Sequence, residues 1–140
     1  MRAYLDASVL VALLTDDPLT ARADALFRAL APIPIVSDFA AAEFASALGR
    51  RVRTGELAAE HARMAFADLD RWSEAVAERV DLGPGDVAEA AGFLRRLDIT
   101  LRTPDALNIA LCQRVSATLA TFDDKMAAVA GTLGLPVATG

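Results

Sequence analysis

Four acidic residues stand in otherwise apolar stretches of this 140-residue chain: Asp6, Glu43, Asp105 and Asp123. A carboxylate buried among Ala, Leu and Val costs free energy unless it is paired, hydrogen-bonded or bound to a cation. Four carboxylates at one place would repel each other until a hard divalent ion neutralised them. These residue types therefore indicate a metal site that takes Mg²⁺ or Mn²⁺.

Each carboxylate also has a purely structural interpretation. Asp6 and Asp123 each precede a predicted helix, where Asp is a common N-cap. Asp105 falls in the first turn of a helix, where the helix dipole favours a negative charge. Glu43 fits such roles least well, because the residues four positions before and after it are both apolar and offer no ion pair. Glu43 therefore favours a shared site over four separate caps.

The neighbouring polar residues point to oxygen ligands. The hydroxyl residues Ser8 and Thr121 lie beside two of the carboxylates. The single histidine, His61, belongs to a charged amphipathic helix and is predicted to be exposed, and the single cysteine, Cys112, is predicted to be a small buried hydrophobe. A zinc site is therefore not expected, whereas Mg²⁺ and Mn²⁺ suit an oxygen donor set.

Strand and helix patterns alternate along the whole chain. Strands are predicted at about 2–5, 32–36, 80–82, 117–122 and 135–138, and helices at about 8–15, 20–31, 38–52, 56–74, 87–97, 106–115 and 124–133. This alternation predicts an α/β fold, a three-layer α/β/α sandwich with a central, mostly parallel sheet of four to five strands. Parallel sheets carry their sites at the carboxyl ends of the strands, so all four carboxylates are expected at one crevice.

Two helix starts position the second and third carboxylates. Ser37 is predicted to cap the helix that carries Glu43. Thr103 is predicted as N-cap and Pro104 as the first helical residue, which places Asp105 in the first turn.

Composition limits the remaining possibilities. The length predicts a single domain over residues 1–140, and 54% hydrophobic residues supply one core. No signal peptide or membrane span is expected, and one cysteine is typical of a reducing compartment, so we expect a cytoplasmic protein. The net charge of −5 argues mildly against binding nucleic acid through the overall field, although a metal bound to the carboxylates would offset most of it.

The motifs, taken in order, resemble those of the PIN domain and, more closely, of VapC toxins. They are Leu5-Asp6-Ala7-Ser8-Val9-Leu10, Ser37 followed by Glu43, Thr103-Pro104-Asp105-Ala106-Leu107, and Thr121-Phe122-Asp123. The resemblance covers nearly the whole chain. It implies a metal-dependent endoribonuclease of a type II toxin-antitoxin pair, neutralised by a VapB-type antitoxin and usually a homodimer.

The resemblance also implies residue roles. The catalytic, ion-binding positions match Asp6, Glu43, Asp105 and Asp123, and the supporting positions match Ser8, Thr121 and Asp124. Of the doublet Asp123-Asp124, the Thr-x-Asp spacing favours Asp123 as the ligand. One or two Mg²⁺ or Mn²⁺ ions would activate water for hydrolysis of an RNA phosphodiester. Asn108, one turn after Asp105, is given no role.

Arginines and apolar helix residues supply candidate partner contacts. Two arginine groups flank the acidic motifs, and the RNA-binding candidates among them are Arg50, Arg51 and Arg102. Both groups have the alternative of being ordinary solvated helix ends. Apolar residues between Ala40 and Trp72 are mainly expected in the core, and any that remain exposed would suit an antitoxin segment.

Rival families fit less well. A phospho-acceptor receiver domain needs a lysine after its last strand, whereas Lys125 lies in a predicted helix. A haloacid-dehalogenase-type phosphatase needs Asp-x-Asp, and Asp6-Ala7-Ser8 lacks the second carboxylate. The alternative that stays open is a catalytically silent PIN-like module that binds RNA or protein.

Overall fold

A computed structural model describes residues 1–138 of the chain, and at its centre lies a five-stranded, entirely parallel sheet in the order β3-β2-β1-β4-β5. The strands are β1 (Arg2–Leu5), β2 (Ile33–Ser37), β3 (Glu78–Val80), β4 (Thr118–Ala120) and β5 (Val137–Ala138). The predicted α/β class and parallel sheet are confirmed.

Seven helices connect these strands within the described residues. They are α1 (Ala7–Leu14), α2 (Thr20–Leu30), α3 (Asp38–Arg53), α4 (Ala59–Val76), α5 (Pro84–Arg95), α6 (Thr103–Arg114) and α7 (Asp124–Thr132). No helix among residues 1–138 combines the length and the apolar composition needed to cross a membrane.

The sheet is filled on both faces, because alternate strand residues point to opposite sides. Tyr4 and Leu119 pack with α5, α6 and α7 in one cluster. Ala3 and Leu5 pack with α1, α3 and α4 in the other. The predicted three-layer sandwich is therefore present. Cys112 is fully buried in the first cluster, and His61 is exposed on α4, both as predicted.

The strand order places a topological switch beside β1. The chain passes from β1 to β2 and β3 on one side, then returns through α5 and α6 to β4 on the other side. In open parallel sheets a crevice forms at such a switch, at the carboxyl ends of the strands. Asp6 follows β1 directly and Thr121 follows β4 directly, so the switch lies between them.

Several predicted element boundaries were wrong; for example, helix α5 begins at Pro84 instead of 87, and strand β4 ends at Ala120 instead of 122. Strand β3 covers Glu78–Val80 instead of 80–82, because pairing with β2 ends at Val80 and the Leu82 amide then bonds to Asp38 at 2.8 Å. Helix α6 begins at Thr103 itself, and its N-cap is Arg102, which makes no side-chain cap bond. Asp105 nevertheless lies in the first turn, as predicted. Ser37 caps α3 by accepting a bond from the Ala40 amide at 2.9 Å.

Candidate functional site

Asp6 is a buried carboxylate with three donors. Its side chain is the N-cap of α1 and accepts a bond from the Val9 amide at 3.1 Å. Ser8 Oγ donates to Asp6 Oδ1 at 2.6 Å, and Thr121 Oγ1 donates to Oδ2 at 2.5 Å. Register explains the last contact, because Leu5 pairs with Ala120 and the next residues along the two strands are Asp6 and Thr121. Asp6 is therefore held rigidly between two strand ends.

The same two hydroxyls order the segment after β4. Ser8 Oγ accepts from the Phe122 amide at 3.0 Å, and Thr121 Oγ1 accepts from the Asp123 amide at 3.0 Å. Asp123 then caps α7, with Oδ1 accepting from the Met126 amide at 3.0 Å. One oxygen of Asp123 is engaged in this way, and the carboxylate is fixed at the start of the helix.

Glu43 is half-buried on α3 and meets helix α6. Asn108 Nδ2 donates to Glu43 Oε1 at 2.6 Å and also to the Pro104 carbonyl at 3.0 Å. No residue between 1 and 138 donates a hydrogen bond to Glu43 Oε2. The sequence pattern leaves the role of Asn108 open, and the structure places Asn108 in contact with a predicted site carboxylate.

Asp105 and Asp123 line one cleft of about 390 Å³. The Asp105 side chain is 15% exposed, and Arg102 Nε approaches its Oδ2 at 3.4 Å, a long contact. Arg102 and Lys125 also line the cleft, which places two cations beside two carboxylates. This cleft lies beside the N-terminal ends of helices α6 and α7, at the carboxyl end of the sheet.

Burial raises the pKa of both inner carboxyl groups. Burial is the main cause for Asp6, and the charge of Asp123 adds to it, whereas bonds from Ser8, Thr121 and the Val9 amide oppose it. For Glu43 the main cause is again burial, opposed by the Asn108 bond. The charges of Asp6 and Asp105 raise the Glu43 pKa further. The negative charge in the site is therefore incompletely compensated by protein donors.

The fold places the four predicted carboxylates near one another. Besides burial, the charge of Asp123 raises the pKa of Asp6, and the charges of Asp6 and Asp105 raise the pKa of Glu43. Asp105 shares a cleft with Asp123. Among residues 1–138, no three His, Cys, Asp or Glu side chains lie close enough together to coordinate one metal ion as they stand. The four carboxylates are therefore near neighbours at one end of the sheet.

The donor chemistry fits a hard divalent cation. The protein binds one oxygen each of Glu43, Asp105 and Asp123 and leaves the other without a donor from residues 1–138. Carboxylate oxygens of this kind are the preferred ligands of Mg²⁺ and Mn²⁺. The residues that could hold an ion are therefore Glu43, Asp105 and Asp123, together with Asp6 at the base of the site.

Some predicted site residues lie elsewhere. Arg51 Nη2 bonds to Asp17 Oδ1 at 2.5 Å, so this guanidinium ties α3 to the loop after α1. Arg50 is exposed in the last turn of α3. Asp124 is exposed and does not line the cleft, whereas Asp123 does. Of the three candidate RNA-binding arginines, Arg102 alone lines the cleft with the carboxylates.

Two residues of the site were missed by sequence reasoning. Tyr4 was assigned only to a strand, yet its hydroxyl donates to Asn108 Oδ1 at 2.6 Å. The sequence pattern places Lys125 only in a helix, yet it lines the cleft beside Asp123. Lys125 follows Asp123 by two residues, which is a local signal that was available. The Tyr4 contact joins residues 104 positions apart and carries no such signal.

Comparison with known proteins gives consistent results. The PIN domain family model matches residues 3–132. Ribonuclease VapC46 of Mycobacterium tuberculosis is 39% identical over 139 residues, which covers 96% of this chain and 94% of that protein. Because both matches span most of the chain, they establish the family.

Solved structures match the fold. VapC20 of Mycobacterium tuberculosis, described as a sarcin-ricin loop cleaving toxin, superposes with a TM-score of 0.73 at 20% identity, covering 91% of this chain and 94% of that one. VapBC2 of Rickettsia felis, solved with a DNA fragment from its promoter, gives a TM-score of 0.67 at 15% identity, covering 99% and 98%. With the acidic site at the sheet switch and these matches, the chain belongs to the PIN domain family, among its VapC ribonucleases.

Proposed function

We propose that this chain is a metal-dependent endoribonuclease toxin that hydrolyses RNA phosphodiester bonds. The observation that carries the proposal is the carboxylate group at the carboxyl end of β1 and β4, in which Glu43, Asp105 and Asp123 each keep one oxygen without a donor from residues 1–138. The 39% identity to a ribonuclease of the family supports the same reaction.

The proposed ion is Mg²⁺ or Mn²⁺, as one or two ions held by Asp6, Glu43, Asp105 and Asp123. When bound, a divalent ion supplies Lewis-acid activation of water and neutralises charge at the scissile phosphate. The protein residues bind the ion and orient the carboxylates that hold it. Ser8 and Thr121 fix Asp6 by hydrogen bonds, and the Met126 amide fixes Asp123. No side chain is required as the nucleophile.

Arg102 and Lys125 are proposed to bind RNA phosphates. Both lie at the cleft that contains Asp105 and Asp123, and the Arg102 side chain is 78% exposed. An acidic site needs cationic contacts nearby to attract a polyanion. Arg50, exposed seven residues after Glu43 on the same helix face, is retained as a further candidate.

A VapB-type antitoxin is the proposed protein partner. Solved structures of similar fold include VapBC2 of Rickettsia felis, whose name joins VapB and VapC. The apolar residues of α3 and α4 are mostly buried, as expected, but Met64 is 63% exposed beside Leu57 in a cleft of about 250 Å³. We place an antitoxin segment there. Met64→Asp should weaken antitoxin binding and leave RNA cleavage intact.

We propose that the protein is a homodimer, which light scattering of the purified protein tests directly. We place the protein in the cytoplasm, because its substrate class is found there and the buried, reduced Cys112 suits a reducing compartment.

The proposed function is tested by cleavage of total RNA with purified protein in Mn²⁺ or Mg²⁺. Discrete products should appear, and they should be lost with chelator and in Asp123→Asn. The matched control is Asp124→Asn, which removes the same charge from the neighbouring, exposed residue and should retain cleavage. Asp105→Asn should abolish cleavage with the fold retained. Lack of both cleavage and metal binding would instead support the silent binding module.

A further inference from the structure

A buried line of hydrogen bonds runs from strand β2 to the site carboxylate Glu43. Ser37 Oγ lies 2.7 Å from the Tyr4 hydroxyl, Tyr4 lies 2.6 Å from Asn108 Oδ1, and Asn108 Nδ2 lies 2.6 Å from Glu43 Oε1. Ser37, Tyr4 and Asn108 are each at most 2% exposed. Buried polar side chains in such a line stiffen one another when every member is satisfied.

The direction of each bond in this line is fixed by the Pro104 carbonyl. A carbonyl only accepts, so the Asn108 amide nitrogen must face Pro104 at 3.0 Å. The same nitrogen then uses its second hydrogen for Glu43, and the amide oxygen is left to accept from Tyr4. Tyr4 in turn accepts from Ser37. The reversed amide would turn its oxygen towards both the carbonyl and the carboxylate, which is repulsive.

We propose that Asn108 is a positioning residue that orients the Glu43 carboxylate for the divalent ion, and that Tyr4 acts through Asn108 by fixing the amide. The inference rests on the proposed metal-dependent function. Asn108 holds Oε1 and leaves Oε2 without a donor from residues 1–138, so the free oxygen has a defined direction. The line also connects α3 to α6, the helices that carry Glu43 and Asp105.

An amide suits this role better than a cation. A lysine or arginine at residue 108 would pair with Glu43 and compete with a bound metal ion for its charge. The neutral amide donates a hydrogen bond to the carboxylate and leaves its negative charge available to the ion. Partners that orient metal-ligating side chains in this way typically change metal affinity about 10- to 100-fold when removed.

The test measures Mn²⁺ binding to the folded protein without RNA, by titration calorimetry. Asn108→Leu should weaken binding at least about 10-fold. Tyr4→Phe should weaken it less, because Asn108 keeps its bonds to Glu43 and Pro104. In the double variant the loss should equal that of Asn108→Leu alone, since Tyr4 acts only through Asn108. Ser37 is left unchanged because it also caps α3.

Cys112→Ala is the matched control. Cys112 lies one turn further along α6, is fully buried, and bonds only to the Ala117 carbonyl among the described residues. The Cys112→Ala substitution should lower the melting temperature and leave the affinity for Mn²⁺ unchanged. Wild-type affinity in Asn108→Leu, additive losses in the double variant, or an equal loss in Cys112→Ala would overturn the positioning role while the proposed function stands. Absence of Mn²⁺ binding by the wild-type protein would overturn both.

Discussion

Thr121 Oγ1 donates a 2.5 Å hydrogen bond to Asp6 Oδ2, although 115 residues separate the two in the chain. The bond crosses the switch between β1 and β4, where a site is expected in a parallel sheet. Thr121 is completely buried, and its oxygen also accepts from the Asp123 amide at 3.0 Å. One hydroxyl therefore links two of the proposed metal ligands.

Thr121→Val should destabilise the protein and weaken metal binding. The substitution keeps the shape and removes a donor from a buried carboxylate, which costs about 1–3 kcal/mol. Thr118→Val, at the start of the same strand, is the control and should change stability by less than about 0.5 kcal/mol. Urea unfolding of both variants measures the difference. Equal stability of the two variants would contradict the importance of the Thr121 bond.

Glu43→Gln should stabilise the metal-free protein. The substitution keeps Oε1 as an acceptor for Asn108 and removes a charge that Asp6 and Asp105 disfavour. We expect the melting temperature in chelator to rise by up to about 3 °C, roughly 1 kcal/mol for a domain of this size. Stabilisation by added Mn²⁺ should be reduced. Exposed Glu89→Gln is the control, and a lower melting temperature for Glu43→Gln would refute the expected repulsion.

Arg102→Gln and Lys125→Gln should each weaken RNA binding and flatten its salt dependence. Each lost phosphate contact lowers the slope of log K against log salt by about 0.7 for a single strand. Arg51→Gln is the charge-matched control, because Arg51 is paired with Asp17. It should lower stability and leave the slope unchanged. Fluorescence anisotropy over a salt series separates the variants, and equal slopes for all three would exclude Arg102 and Lys125 as phosphate ligands.

Asp86 should give a stability contribution that is lost in acid. Arg114 donates to both Asp86 oxygens, at 2.8 and 3.0 Å, and this bond lowers the Asp86 pKa although burial opposes it. Because the pKa of Asp86 is lower in the folded state, its carboxylate stabilises the fold at pH values above the unfolded-state pKa of about 3.9. This stabilisation disappears as the pH falls through the folded-state pKa. Asp86→Asn should therefore cost about 1–3 kcal/mol near pH 7.

The loss of unfolding free energy in Asp86→Asn, relative to the wild-type protein, should be constant from about pH 8 to pH 5. This difference between the two proteins should become smaller below about pH 4. Thermal unfolding of both proteins across this range measures it. Asp98→Asn is the control, because the Asp98 pair with Arg96 is exposed and screened by solvent, so its removal should change stability far less than the loss of the Asp86 pair. A deficit that widened in acid would contradict the assigned sign.

The sequence by itself determined the α/β class, the parallel sheet and the four acidic positions. Hydrophobic periodicity and turn residues are local, and they located α3 with its Ser37 cap and β1 ending before Asp6. Because strand ends of a parallel sheet share an edge, order along the chain was enough to place Asp6 and Asp123 near each other. The Thr-x-Asp spacing favours Asp123 over Asp124 as a metal ligand, which stays a prediction, and Asp123 lines the cleft whereas Asp124 does not.

Tertiary structure alone decided which side chains satisfy the carboxylates. The bond from Asn108 to Glu43 and the bond from Tyr4 to Asn108 join residues 65 and 104 positions apart. Such contacts depend on helix orientation and strand register, which residue patterns do not encode locally. The same reason separates Arg51, drawn to Asp17 by packing of α3, from Arg102, which reaches the cleft. Local sequence supplied the charged groups, and only the folded chain determined their partners.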